Sequence, residues 1–273
     1  MTLIAILLGT VAAGVGSVWL AAVLGLAMLA RYTQHMLSLA AGALMATAFM
    51  HLLPEAFNSE AEAKDLFALL LGGLVFFFLL DKAELWHHGH EHHQDTAYDG
   101  HAGHDHEGHA HAGHGHQHHH HGHERRSGGW AVLAGDSVHA FGDGILIASA
   151  FVADMRLGVV TSLAVLAHEV PHHMGDLVVL QQTSGTRRAA LVKVSLAGTV
   201  TALGGLVGYA LLGQLSDFLP YFLVAASSSF VYVALADLIP QLQKRLGLRE
   251  TVGQVLWLCA GIGLVTVVSS LAH

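Results

Sequence analysis

The chain has 273 residues, 53% of them hydrophobic and 12% charged, whereas a water-soluble domain carries about 25% charged residues. This composition excludes an ordinary soluble enzyme. The formal net charge of −8 excludes a basic nucleic-acid surface, because phosphate binding needs clustered Lys and Arg and the chain has only 12 of them. A single cysteine, Cys259, excludes a disulfide framework and any zinc site with several thiolate ligands.

Stretches of about 20 residues with almost no charge recur along the chain, each long enough to cross a hydrocarbon layer of about 30 Å. They predict an all-α fold, a polytopic membrane protein with eight transmembrane helices that has the lipid bilayer as a partner. The predicted spans are 3–30, 36–57, 66–86, 130–153, 157–181, 189–212, 218–238 and 252–271. The first stretch lacks the basic start and clear cleavage signal of a secretory signal peptide, so we expect it to remain as a span.

The positions of the basic residues predict the orientation of these spans. Ten of the 12 Lys and Arg residues lie in or beside connections one, three, five and seven, while only Lys64 and Arg156 lie in connections two and four. Positively charged connections stay on the cytoplasmic side of a membrane. We therefore expect an integral protein of the cell (inner) membrane with both termini outside.

A histidine-rich insert divides the chain into helices 1–3 (residues 1–86), a cytoplasmic loop (87–126) and helices 4–8 (127–273). Seventeen of the 24 histidines lie between His87 and His123. The insert is mostly Gly, Ala and His, so it has too little apolar surface to offset the entropy of ordering and is predicted to be disordered without metal. Imidazoles at this density chelate Zn, Ni, Co or Cu ions loosely, and a pH-sensitive linker is the alternative.

Ionisable side chains concentrate in spans four and five, although each costs about 2.5–3.5 kcal/mol at the bilayer centre. In span four, His139 and Asp143 are i, i+4 neighbours on one face, with Asp136 one turn before. Span five carries five donor side chains within nine residues, and they form two adjoining i, i+4 stripes. These residues are His168, Glu169, His172, His173 and Asp176. So many donors at this spacing are not typical of helix packing.

The two donor sets lie near the middle of consecutive spans that cross in opposite directions, so we expect them to meet at one level. Imidazole and carboxylate ligands without thiolate are typical of a borderline divalent cation such as Zn²⁺, with Fe²⁺, Mn²⁺, Co²⁺, Ni²⁺ and Cd²⁺ as alternatives. A buried proton relay or a metal-free ion-pair network is the competing interpretation. His51 and Glu55, an i, i+4 pair at the outer end of span two, could receive ions at an entrance or only terminate a helix before Pro54.

These motifs resemble those of the ZIP (Zrt/Irt-like protein) family of divalent metal transporters. Within the family, the chain resembles prokaryotic-like members of the HExPHE-type subgroup. The family motif HNxxDG corresponds to HAFGDG at 139–144, the motif HExPHExGD corresponds to HEVPHHMGD at 168–176, and HLLPEA stands at 51–56. The resemblance implies eight spans and transport of zinc and related ions toward the cytoplasm, commonly through a two-metal site. The residues that match the family's ligands are His139, Asp143, His168, Glu169 and His172.

Two departures from the motifs bear on the number of ions. Ala140 stands where the family has Asn and offers no ligand atom, and His173 stands where the family has its second Glu. A second, bridged position would lose the amide oxygen, so we expect one tightly bound ion and a weaker second one, unless another ligand such as His173 replaces the amide.

The sequence thus predicts a carrier for which Zn²⁺ is a transported substrate and no catalytic cofactor is needed, with a homodimer as a further partner arrangement. Two alternatives belong to other classes. A cation-diffusion-facilitator-like exporter also uses HxxxD pairs, but it usually has six spans and a soluble C-terminal domain. An intramembrane zinc metalloenzyme could use HEVPH at 168–172, although proline within that motif and the extra carboxylates disfavour it.

Deletion of residues 88–123 should leave a working carrier, because a disordered chelator contributes no folding energy to the spans. Uptake at low metal concentration should change, whereas uptake at saturating metal should persist. Metal uptake by the correctly inserted deletion variant measures both. Loss of uptake at saturating metal would place the loop in the essential pathway.

Overall fold

The computed structural model describes residues 1–89, 128–184, 186–242 and 247–271, so most of the predicted histidine-rich loop lies outside the described residues. Within those ranges the secondary structure is helical, with no strand, which confirms the all-α prediction. The α-helices are α1 (Thr2–Val11), α2 (Ser17–Thr47), α3 (Leu53–Phe57), α4 (Ala63–Gly89), α5 (Gly128–Ala153), α6 (Met155–Ser184), α7 (Arg187–Gln214), α8 (Leu219–Leu242) and α9 (Leu248–Leu271). π-Helical turns at Ala12–Gly16 and Ala48–Leu52 join α1 to α2 and α2 to α3, and Ser216–Phe218 is a short 3₁₀ helix.

Six helical segments of the described chain are long and apolar enough to cross a membrane. They are Thr2–Leu24, Gln34–Phe57, Ala63–Leu80, Arg187–Gln214, Ser216–Ala236 and Leu248–Leu271. The long helices α5 and α6 are not among them, because their histidines and carboxylates make these helices less apolar than the other long helices. The polytopic architecture follows from the six segments, and the number of eight spans stays a prediction.

The outer faces of several helices remain apolar and exposed. Leu71 on α4, Leu196 on α7 and Val267 on α9 are 65%, 68% and 54% exposed, respectively. Soluble monomers rarely expose apolar surface over whole helices, whereas hydrocarbon is the natural solvent for such faces. This distribution agrees with a helix bundle surrounded by lipid.

The hairpin of α5 and α6 carries the donor residues. Asp154 is the single residue between the two helices, and its Oδ1 accepts hydrogen bonds from the backbone N–H groups of Arg156 (2.8 Å) and Leu157 (3.2 Å). This is an N-cap, which fixes the start of α6. Because a one-residue connection makes the helices antiparallel neighbours, residues of α5 near 139 face residues of α6 near 169.

Glycines allow α5 to pack closely against α7. A Cβ atom on Gly144 would collide with the backbone at Thr201 and Gly205, and one on Gly204 would collide with the carbonyl of Phe141. The small residues therefore bring the two helix backbones into direct contact, as in other membrane helix pairs. Gly142, in the same motif, has open space around its Cβ position.

Gly144→Ala should destabilise the bundle, because the added methyl group forces α5 away from the α7 backbone and overpacking costs about 1–3 kcal/mol. Gly142→Ala is the matched control, since its methyl group meets no atom within 4 Å. The melting temperature of each purified variant in detergent measures the effect. Equal stability of the two variants would contradict the close packing.

Candidate metal site

The donors of both predicted sets come together where the middle of α5 packs against the middle of α6. The Nε2 atom of His139 lies 3.6 Å from Oε1 of Glu169 and 3.8 Å from Oδ2 of Asp143. The imidazole rings of His139 and His168 meet edge to face, with 5.7 Å between centroids. One ligand atom from each of His139, His168 and Glu169 lies within 4.8 Å of the other two. We call these three residues the first donor group.

These separations suit a bound ion. Donors about 2.1 Å from a tetrahedral Zn²⁺ are about 3.4 Å apart. The 3.6 and 3.8 Å distances from His139 are close to that value. Asp143 is thus placed at the edge of the first donor group, in contact with His139.

A second donor group lies one turn away on both helices. It contains Asp136, Glu169 and His173, whose ligand atoms also lie within 4.8 Å of one another. Nε2 of His173 is 3.2 Å from Oε2 of Glu169 and 3.7 Å from Oδ1 of Asp136. Glu169 therefore contributes one carboxylate oxygen to each group.

A third donor group consists of Asp136, His172 and Asp176. Nδ1 of His172 is 3.2 Å from Oδ2 of Asp176 and 3.8 Å from Oδ1 of Asp136. Its ring centroid lies 6.1 Å from those of both His139 and His168. The structure thus places His172 between the first group and the far end of the site, with 42% of its side chain exposed.

The carboxylates of the site are buried, and some of their oxygens have no hydrogen-bond partner among the described residues. Asp136, Asp143 and Glu169 are 4%, 4% and 3% exposed. Both carboxylate oxygens of Asp136 and Oε1 of Glu169 accept no hydrogen bond from the described residues. Burial of a carboxylate without compensation is costly, so such a cluster calls for positive charge.

His51 and Glu55 lie apart from these donor groups. They line a cavity of about 390 Å³ together with Asp154, Arg156 and Leu157, at the start of α6. Nε2 of His51 is buried and has no hydrogen-bond partner among the described residues. The pair therefore borders an opening at the α5–α6 turn, about 11 residues of α6 before His168, which corresponds to about 16 Å of helix rise.

Two residues of the site were not among the sequence-predicted ligands. Asp136 precedes His139 by one helical turn, and this spacing was the available signal for it. Ser17 on α2 is hydrogen-bonded to Nδ1 of His173 at 2.9 Å. The sequence holds no signal for Ser17, because the contact joins residues that are 156 positions apart.

Comparison with known proteins agrees with this donor chemistry. The family model described as ZIP Zinc transporter matches residues 1–269. This chain belongs to the ZIP zinc transporter family. Members of the family are metal transporters, not enzymes, and the chain is accordingly an integral membrane protein.

Individual relatives match parts of the chain. Zinc transporter foi of Drosophila melanogaster is 31% identical over 141 residues, which are 51% of this chain and 20% of that protein. Zinc transporter ZIP4 of Homo sapiens is 35% identical over 136 residues, 50% of this chain and 20% of that protein. Zinc transporter ZIP13 of Pongo abelii is 26% identical over 256 residues, 87% of this chain and 67% of that protein. The matched part of the chain spans about a fifth of the length of the first two relatives, and the subgroup stays a prediction.

Proposed function

We propose that this chain carries divalent transition-metal ions, zinc above all, across the membrane toward the cytoplasm through the donor groups between α5 and α6. The observation that supports it most is the row of histidine and carboxylate donors, about half of them buried, that runs from His139 and His168 to Asp176. Imidazole with carboxylate is the ligand chemistry of zinc and its neighbours Fe²⁺, Mn²⁺, Co²⁺, Ni²⁺ and Cd²⁺. Relatives named as zinc transporters support zinc as the main substrate.

The ligands that we assign to the transported ion are the first donor group, His139, His168 and Glu169, with Asp143 at its edge and His172 beside it. Asp143 lies 3.8 Å from His139 and is positioned to complete the coordination. His172 adjoins both histidine rings and contacts Asp176, so it is placed to receive the ion next. His173 and Asp176 belong to the same path.

The order of these residues along α6 is the order in which an ion would pass them, whereas the inward direction of transport is taken from the resemblance to the ZIP family. The cavity at His51 and Glu55 lies at the start of α6, the first donor group lies near its middle, and Asp176 lies about two turns further on. The excess of basic residues in the odd-numbered connections supports a cytoplasmic location for the far end of α6. With eight spans and both termini outside, ions enter at the cavity and leave toward the histidine-rich loop.

Membership in the ZIP family favours this function over the two alternatives. A cation-diffusion-facilitator-like exporter belongs to a different family and moves ions in the opposite direction. An intramembrane hydrolase would need an open position for water on the metal. Glu169 contacts His139 and His173, and Asp143 lies 3.8 Å from His139, so a further carboxylate is available to the ion in place of a water.

Alanine at His139, Asp143, His168 or His172 should nearly abolish metal uptake, because each substitution removes a donor from the path of one ion. His35→Ala is the matched control, since this ring stacks against Trp257 with 5.9 Å between centroids and belongs to none of the donor groups. Zn²⁺ uptake into proteoliposomes containing equal amounts of inserted protein measures the effect. Unchanged uptake in two of the four variants would refute the assignment.

Proteoliposomes of defined orientation test the substrate and the direction. Zn²⁺ should enter when the predicted outer face is outward, and Fe²⁺, Mn²⁺ and Cd²⁺ should compete with it according to their affinity for imidazole and carboxylate ligands. A dye for free metal inside the vesicles provides the signal. Transport only in the opposite orientation would overturn the proposed direction and leave the donor groups in place.

A further inference from the structure

We infer that the second donor group is a metal position in its own right, in which Asp136, Glu169 and His173 bind a divalent cation and Ser17 of α2 orients His173. This inference rests on the proposed function. It supplies a second ion position that does not depend on the amide missing at residue 140. The two positions share Glu169, which directs Oε1 to His139 and Oε2 to His173.

The geometry of the second group matches that of an ion-binding site. Nε2 of His173 lies 3.2 Å from Oε2 of Glu169 and 3.7 Å from Oδ1 of Asp136. Donors around a tetrahedral Zn²⁺ are about 3.4 Å apart. All three residues are at least nine-tenths buried, with exposures of 4% for Asp136, 3% for Glu169 and 0% for His173. The third donor group is far more open, since its His172 side chain is 42% exposed.

In the neutral form of His173, Ser17 selects the tautomer whose Nε2 atom carries the lone pair. The hydroxyl of Ser17 donates its one proton to the carbonyl of Gly14 at 2.7 Å. Its oxygen is therefore left to accept the hydrogen bond from Nδ1 of His173, at 2.9 Å. A neutral imidazole that carries its proton on Nδ1 has a free lone pair on Nε2.

In this neutral tautomer the lone pair of Nε2 faces two carboxylate oxygens, so that three acceptors converge on one small volume. Nε2 of His173 and both oxygens of Asp136 have no hydrogen-bond partner among the described residues. Acceptors that converge in a buried site repel one another unless a cation lies between them. A divalent metal ion satisfies all three at once, and orientation of a ligand histidine through its other nitrogen is the usual arrangement at metal sites.

The π-helical turn at Ala12–Gly16 places Ser17 for this role. It lies directly before Ser17 and contains Gly14, the acceptor of the serine proton. A side chain on Gly14 would collide with Gly198 of α7, so close packing holds this turn in position. π-Helical turns of this kind occur frequently at functional sites.

The two positions differ in chemistry. The first donor group offers two imidazoles and one carboxylate, whereas the second offers one imidazole and two carboxylates. A larger share of oxygen ligands suits harder cations such as Mn²⁺ better than an imidazole-rich site does. The second position should therefore discriminate less strongly between Zn²⁺ and Mn²⁺.

Anomalous scattering from crystals of the full chain soaked in Zn²⁺ locates each bound ion, so ions on the histidine-rich loop are separated by position. We expect one peak within the first donor group and another between Asp136, Glu169 and His173. Asp136→Asn and His173→Gln keep nearly the same side-chain volume and should each remove the second peak. The first peak should persist in both variants and serves as the internal test of folding.

The outcomes separate this inference from the proposed function. A first peak without a second in the native protein would overturn the second position, show the group to be a metal-free ion pair, and leave the proposed function intact. A second peak of undiminished height in both variants would also overturn it. The absence of both peaks, with transport intact, would refute the first donor group itself.

Ser17 acts as a positioning residue, so its test needs a matched serine. Ser17→Ala should weaken Zn²⁺ binding at the second position about tenfold or more, as loss of an orienting hydrogen bond does at other metal sites. Ser149→Ala is the control, because Ser149 is also fully buried and also donates to a carbonyl three residues before it at 2.7 Å. Ser17→Thr, which keeps the hydroxyl, should restore occupancy, and an equal loss in the threonine variant would refute the role of the hydrogen bond.

Discussion

The burial of carboxylates in an apolar bundle is the constraint on which the rest of this structure depends. Asp136, Asp143 and Glu169 lie almost fully buried between α5 and α6. Each would be costly in a hydrocarbon-surrounded interior without a compensating charge. Four histidines surround them, and in the proposed function a bound cation would supply the compensating positive charge. The energetic penalty of the site is therefore linked to the proposed function, because a cation bound there would also stabilise the buried carboxylates.

Close packing of helices makes this arrangement rigid. Glycines let α5 approach the α7 backbone, and a single N-capping residue, Asp154, connects α5 to α6. The relative rotation and height of α5 and α6 are thereby fixed, so that the donors face each other. A π-helical turn between α1 and α2 adds Ser17 from a third direction. The proposed metal path is thus lined by the α5–α6 hairpin, and the neighbouring helices hold it in shape.

Glu169 connects the first donor group to the second. Its two oxygens face His139 on one side and His173 on the other, and Asp136 links His173 in turn to His172. On the proposed path, an ion that leaves one donor group would therefore meet ligands of the next before it loses the last. Several sites of moderate affinity in succession allow both selective binding and release, whereas a single very tight site would retain the ion.

The sequence by itself determined the all-α membrane architecture and the donor chemistry. Long uncharged stretches and the i, i+4 spacing of His139, Asp143, His168 and His172 are local properties, readable without a structure. Only the tertiary structure decided how the donors divide into groups, because that depends on the rotation of α5 against α6, which distant packing sets. It brought Asp136 to His173, and it brought Ser17 to the same histidine from 156 residues away. No periodicity within one helix encodes such contacts, since each requires two helices to meet at one height and one angle.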